Sequence, residues 1–251
     1  MRLPDFIIAG APRSGTTWLY HLLKCHPRVH LAAPPRPEPK FFLVDELYAR
    51  GLGWYSRTWF EGAAHGATCG EKSTNYLESA SAARRIAKDL PAIKLVFILR
   101  EPVERAWSNY LWSRMNGVEG ETFERALELE ERRERDLVPG QRFSRPHAYF
   151  SRGLYADLLQ PWFQLFPREN ILCLRCEDIA GRPRLLAERL HGFLGVPARP
   201  HDADGLGMIN AAESEGEQQP AAQTRNALGA RYAEPNRRLV ELLGPDFEIW
   251  S

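Results

Sequence analysis

Phe6-Ile7-Ile8-Ala9-Gly10-Ala11-Pro12-Arg13-Ser14-Gly15-Thr16-Thr17-Trp18-Leu19 sets an apolar run, a glycine-bounded turn and the start of an apolar-periodic stretch in direct succession. That order reads as strand, loop and helix start, the opening of an α/β fold with a central parallel sheet flanked by helices. Gly10 and Gly15 permit backbone angles and close approaches that a Cβ would block. Successive N–H groups can therefore converge on an oxyanion where the helix dipole is positive. Thr16 and Thr17 add hydroxyl donors, and Arg13 adds a fixed charge.

The spacing Gly-x4-Gly-Thr-Thr is one residue away from the Gly-x4-Gly-Lys-[Ser/Thr] loop of nucleotide triphosphatases. Thr16 stands where the lysine reaches the β- and γ-phosphates. The loop is suited to a phosphate and poorly equipped for a γ-phosphate. Lys94-Leu95-Val96-Phe97-Ile98-Leu99 is a continuous apolar run of the kind a central parallel strand shows. It ends in Arg100, and the helix expected after Pro102 carries Arg105, Ser108 and Asn109 in its first turns. A cation at this strand end suits a second phosphate, where an aspartate would help to hold Mg²⁺.

At 251 residues the chain is long enough for one well-buried domain, read here as a single domain over 1–251. With 44% hydrophobic and 26% charged residues it falls in the ordinary globular class, and a formal charge of +1 gives no case for nucleic acid or a membrane surface as partner. No apolar stretch reaches the length of a membrane span, and the first strand begins by Phe6 with no charged, apolar and cleavable segment ahead of it, so the expected location is cytoplasmic. Of the four cysteines, Cys173 and Cys176 form a CxxC in a strand-like run, where residues three apart point to opposite faces. No metal site is expected from them or from His26 and His30, which Pro27 separates.

Outward from the loop, residues 16–25 read as a helix and Val29-His30-Leu31 as a short strand. Four prolines in the six positions 34–39 force a stiff extended path that fixes Glu38 and Lys40, which benefits a catalytic carboxylate. Residues 41–60 read as a helix and an aromatic-rich turn with Trp54, Tyr55, Trp59 and Phe60, and 67–71 as a strand ending in Lys72-Ser73-Thr74-Asn75-Tyr76. Ligands of open α/β sheets bind at that carboxyl edge, which makes Lys72 a site candidate. Helices are expected over 79–89, 119–136, 149–166, 182–194 and 235–243, and a strand over 171–174. The 119–136 helix is expected to carry the pairs Glu121/Arg125, Glu128/Arg132 and Glu131/Arg135. Residues 198–222 have no periodicity and read as a lid or flexible loop.

Pro12 to Leu19, Glu38 before Phe41-Phe42, Glu71-Lys72-Ser73, and Leu99-Arg100-Glu101-Pro102-Val103-Glu104-Arg105 with Ser108 together resemble the sulfotransferases that use 3′-phosphoadenosine 5′-phosphosulfate, PAPS. The likeness is to the heparan sulfate N- and 3-O-sulfotransferase type and its bacterial relatives. It implies a P-loop-like three-layer fold and transfer of a sulfuryl group from PAPS to a hydroxyl or amine of a carbohydrate or small natural product. PAP is released, and no metal is required. It places the 5′-phosphosulfate on Arg13, Ser14, Gly15, Thr16, Thr17 and Trp18, where many members have lysine at the position of Arg13, and the 3′-phosphate on Arg100 and Ser108. It makes Glu38 the general base, with Arg13 and Lys72 at the transferring group and Lys40 where the 3-O enzymes carry histidine. Trp54 and Lys40 are candidate acceptor contacts. The rival reading is a P-loop small-molecule kinase, which would need Mg²⁺ and the missing lysine; a non-catalytic nucleotide-binding protein would have no use for Glu38, Lys72 and Arg13.

Overall fold

The computed structural model describes residues 1–138, 143–207 and 219–250. The chain divides into two compact units, Met1–Leu99 with Pro161–Ile209, and Arg100–Gln160 with Asn210–Ser251.

The first unit is built on a parallel sheet. Among the described residues five strands form it, β1 (Phe6–Gly10), β2 (Val29–Leu31), β3 (Thr68–Lys72), β4 (Lys94–Leu99) and β5 (Ile171–Arg175), in the order β2-β3-β1-β4-β5. The two runs that read as buried strands, β1 and β4, lie side by side at the centre. The chain fills the β3 side of β1 first and the β4 side afterwards. The order therefore reverses between β1 and β4, where open α/β sheets leave a crevice at their carboxyl ends.

Side-chain alternation sorts the sheet into two faces. Phe6, Ile8, Val96, Ile98 and Leu174 point to one, where they pack with Trp18, Leu19, Leu22 and Leu23 of α1 (Thr16–Lys24) and with Leu186, Leu190 and Leu194 further along the chain. On the other face Phe97 meets the Trp162 ring edge-on at 5.3 Å, and the Trp162 indole donates to the Leu77 carbonyl at 3.2 Å. The outcome is the three-layer arrangement expected.

Elements between the strands are α2 (Asp45–Tyr48), α3 (Gly51–Phe60) and α4 (Ala80–Asp89). The aromatic stretch expected as a turn is helix α3. It starts at Gly51, whose φ of +76° suits glycine, and its Tyr55 and Phe60 are buried. Strand β3 runs one residue beyond expectation and takes Lys72 into the sheet.

The second unit is helical, with α5 (Pro102–Met115), α6 (Phe123–Arg135), the start of α7 (Tyr155–Leu165) and α10 (Ala222–Leu243). The first unit also holds α8 (Asp178–Gly181) and α9 (Pro183–Leu194), the latter closed by Gly195 at φ +75°. Three helix starts differ from the sequence reading, and α6 begins at Phe123, four residues after position 119. A 3₁₀ turn at Ser151–Gly153 delays α7 to Tyr155, and α10 begins 13 residues before position 235 and continues through Pro235. Leu228, Tyr232, Leu239 and Leu243 are buried along α10, and that packing offsets a proline that would stop an isolated helix. On α6 the pair Glu131/Arg135 forms at 2.8 Å, while Arg125 bonds Glu128 at 2.7 Å in place of the expected Glu121. Residues 139–142 of the expected loop and 208–218 of the expected lid lie outside the described residues. No described helix is long and apolar enough to cross a membrane.

The closest approach in the sheet is at Gly70 of β3, where an added Cβ would enter the Phe6 ring of β1. Over-packing costs about 1–3 kcal/mol, and two backbones fixed in a ladder leave little room to yield. Gly70→Ala is expected to lose about 3 kcal/mol of unfolding free energy, checked by denaturant titration followed by circular dichroism.

Candidate active site

The loop after β1 is held to the sheet by Ala11 N, which donates to the Ile98 carbonyl of β4 at 2.9 Å. Arg13 has φ +65° and Gly15 φ +92°, two left-handed residues that turn the main chain back around the start of α1. An arginine there is uncommon and held by its surroundings; the glycine is required. Gly15 is the N-cap of α1, and no side chain accepts from the first-turn amides. Those donors at the positive end of a nine-residue helix suit an anion.

Two loop residues lie deeper than the sequence indicates. Ser14 is fully buried with its hydroxyl toward the Pro12 carbonyl, and Trp18 is packed in the core with its indole donating to the Leu206 carbonyl at 3.2 Å. Both side chains are taken up by the interior, which leaves their main-chain amides as the donors the two residues offer at the loop. Arg13 and Thr17 are half-buried and Thr16 nearly covered, so these side chains border the loop.

Glu38 meets the end of β3. Lys72, 3% exposed and aligned with Ile8 of β1, donates from Nζ to Glu38 Oε1. Thr74 completes the hold, its main-chain N–H donating to Oε2 at 3.1 Å and its hydroxyl lying 3.2 Å from both carboxylate oxygens. Ser73 N donates to the Ile8 carbonyl at 3.1 Å, which ties this strand end to β1 two residues before Gly10. The structure thus brings Glu38 and Lys72 together, on residues that pair with the strand feeding the anion loop. A cation and a threonine together fix the orientation of this carboxylate.

In the second unit, Arg100 directly follows Leu99 of β4. Its main chain is clamped by the buried Tyr155 hydroxyl, which donates to the Arg100 carbonyl at 2.9 Å and accepts from its N–H at 3.4 Å. The guanidinium lies 3.8 Å from Glu104. Glu101 caps α5, accepting from Val103 N at 3.1 Å and Glu104 N at 2.7 Å, with Pro102 at the first helical position. Ser108 lies two turns along, on the face that carries the fully buried Arg105.

Residues 3–207 match the family described as the sulfotransferase domain. The chain belongs to the sulfotransferase family. It is similar to the human heparan sulfate glucosamine 3-O-sulfotransferase 6, 29% identical over 265 residues that cover 98% of this chain and 73% of that one. It is also 29% identical over 210 residues to the human bifunctional heparan sulfate N-deacetylase/N-sulfotransferase 2, a match covering 78% of this chain and 22% of the relative. Among solved structures, the sulfotransferase from Alicyclobacillus acidocaldarius superposes with a TM-score of 0.78 at 28% identity, covering 97% of this chain and 96% of that one.

Sequence reasoning missed part of what surrounds Glu38 in this sulfotransferase. Glu71 and Ser73 enter only as part of the motif around Lys72, and Thr74 and Tyr76 only as polar residues at a strand end. The alternation of β3 sends Lys72 to the face of Ile8 and Glu71 to the opposite face. There Glu71 is fully buried beside the aromatic group of Phe41, Phe42, Tyr55 and Tyr76. Ser73 Oγ donates to its Oε2 at 3.0 Å and Tyr76 OH to its Oε1 at 3.1 Å. Lys40 has φ +48° and a half-buried side chain. Trp54 stacks on Phe41 at 6.3 Å and carries the Arg50 guanidinium 4.8 Å from its ring, a half-buried packing position. Burial raises the half-buried Cys173 thiol to about 12, which leaves it unreactive.

A Cβ at Gly15 would lie 2.5 Å from Ile179 Cδ1, on a backbone already at φ +92°. Gly15→Ala is expected to lower affinity for PAP at least about tenfold with a small change in unfolding midpoint, because the strain falls on the anion loop and not on the sheet. Titration calorimetry beside a denaturation curve checks this.

Proposed function

We propose that this sulfotransferase transfers the sulfuryl group of PAPS to a hydroxyl or amine of a saccharide or glycosylated acceptor, with Glu38 as general base. The observation that carries this reading is the Glu38 carboxylate, fixed by Lys72 and Thr74 on the strand tied to the anion loop. The donor fits the residues present. The uncapped start of α1 and the glycine cradle at position 15, which a side chain would fill, suit its 5′-phosphosulfate. Arg100 and Ser108 are assigned its 3′-phosphate, the group that separates it from ATP. The saccharide class rests on the similarity to heparan sulfate enzymes.

The donor supplies the sulfuryl group and a phosphate leaving group. Glu38 accepts the proton of the attacking hydroxyl or amine as the new O–S or N–S bond forms in line with the breaking bond to the 5′-phosphate oxygen. The loop amides, Arg13 and Thr16 neutralise charge on the leaving phosphate, which departs as part of PAP. Lys72 fixes Glu38 and adds positive charge beside the reacting group. Arg13 takes the part that lysine has in many family members and offers a fork of donors there.

Titration with PAP, in parallel with ADP plus Mg²⁺, tests the donor without knowledge of the acceptor. Metal-independent PAP binding well above that of ADP is expected; preference for ADP with Mg²⁺ would replace the sulfotransfer reading with a kinase. Glu38→Gln is expected to retain PAP affinity and lose turnover by about 10²-fold or more, the usual scale for a general base. A near-normal rate in that variant removes Glu38 from the mechanism.

A further inference from the structure

Glu71 is a carboxyl group that the reaction above does not use, and no described ion pair compensates its burial. Each of the two hydroxyls that donate to it accepts, in turn, from the main chain of the segment that carries Glu38. Ser73 Oγ accepts from Lys40 N at 2.9 Å, and Tyr76 OH accepts from Phe42 N at 3.2 Å. Two relays therefore run from one carboxylate through two hydroxyls into the backbone two and four residues beyond Glu38. The first grips Lys40, whose φ of +48° is a conformation that side-chain-bearing residues seldom hold without support.

The protonation state of Glu71 sets how firmly both relays are held. An ionised carboxylate is acceptor-only, so it turns both hydroxyl protons toward itself and leaves their lone pairs to the two amides. A neutral carboxyl has a proton of its own to place. The protonated oxygen is a weaker acceptor, and its proton is offered either to the buried Tyr55 hydroxyl or to a relay hydroxyl, so the charge-assisted hold on Ser73 and Tyr76 is lost.

We propose that Glu71 is a positioning residue for the base, which in its ionised form fixes the Lys40 and Phe42 main chain through Ser73 and Tyr76 and so holds Glu38 against Lys72 and Thr74. The proposal rests on the reading of Glu38 as general base. The groups that face Glu71 are Tyr55 from α3, Tyr76 from the turn after β3 and Glu38 from the proline-rich segment; Lys72 adjoins it in sequence but points to the other face. Burial raises the Glu71 carboxyl to about 7, the three hydroxyls oppose that rise, and the charge of Glu38 adds to it. The ionised form is therefore lost as pH falls through about 7, within the range where an enzyme is assayed.

The test compares wild type with Glu71→Gln, whose amide offers one acceptor and so keeps one relay at most. PAP affinity is measured by calorimetry. Turnover is followed across pH as PAP released from PAPS, with a desulfated glycosaminoglycan as acceptor and, separately, with water alone. The wild-type kcat is expected to fall on the acid side with a midpoint of about 7. In Glu71→Gln the acid limb should move to lower pH and the plateau should drop about tenfold, with PAP affinity within about twofold of wild type. An unmoved acid limb overturns the proposal, whether or not kcat drops, because loss of rate alone is what a purely structural residue gives. If Glu71→Gln does not fold, Ser73→Ala and Tyr76→Phe each cut one relay without removing the buried charge. Both are then expected to lower kcat several-fold at unchanged PAP affinity, and wild-type kcat in both overturns the proposal. A wild-type protein that neither binds PAP nor releases it from PAPS is a separate result, which defeats the sulfotransfer reading and this inference with it.

Discussion

The pairing of β3 with β1 is the constraint on which the site depends. Phe6 opposite Gly70 and Ile8 opposite Lys72 set a register in which the last residues of β3 alternate between two environments. A one-residue slip would exchange the places of Glu71 and Lys72, sending a cation among aromatic rings and an acid to Glu38. Gly70 protects that register, since Phe6 occupies the space of the missing side chain. The packing of two core strands and the pairing of Lys72 with Glu38 are one requirement here.

The two buried carboxylates near this strand end are treated differently by their surroundings. Glu38 receives a cation and a threonine, and the charge it carries is matched within contact distance. Glu71 receives hydroxyls alone, a weaker compensation for the water it has lost, and its affinity for a proton rises accordingly. Such a group contributes stability to the fold in its neutral form, at pH below about 7, and opposes folding when ionised. An acid is retained there although an apolar side chain would be the stabler occupant, and its hydroxyl partners hold the segment that carries Glu38.

The sheet was legible because its two central strands, β1 and β4, are apolar runs, and the anion loop because Gly10 and Gly15 lie at a spacing with few other uses. Glu38 and Lys72 were legible as candidates, and their pairing, across 34 residues of chain, was not. What stayed hidden was hidden for identifiable reasons. Pro235 reads as a helix start, and only the burial of Tyr232 and Leu239 on either side explains how α10 passes through it. Trp54 to Phe60 reads as a turn because its aromatic residues are crowded together, Trp54 and Tyr55 packing against Phe41 and Phe60 against Tyr55. Glu71 could have drawn attention as an acid inside a strand, but its partners, Ser73 and Tyr76, are ordinary turn residues until the backbone of Lys40 and Phe42 is seen to lean on them.

The side chain that fills the empty flank of Gly15 is Ile179, from α8, which follows the edge strand β5. A loop near the start of the chain is thus moulded by a helix some 160 positions later, and Cys176 N closes the same join by donating to the Leu99 carbonyl at 2.7 Å. During synthesis the anion loop is finished well before the surface that shapes it has been made. The nascent chain therefore carries the motif without the Ile179 side chain that packs against it, and the loop takes its final surroundings only when the far edge of the sheet has docked.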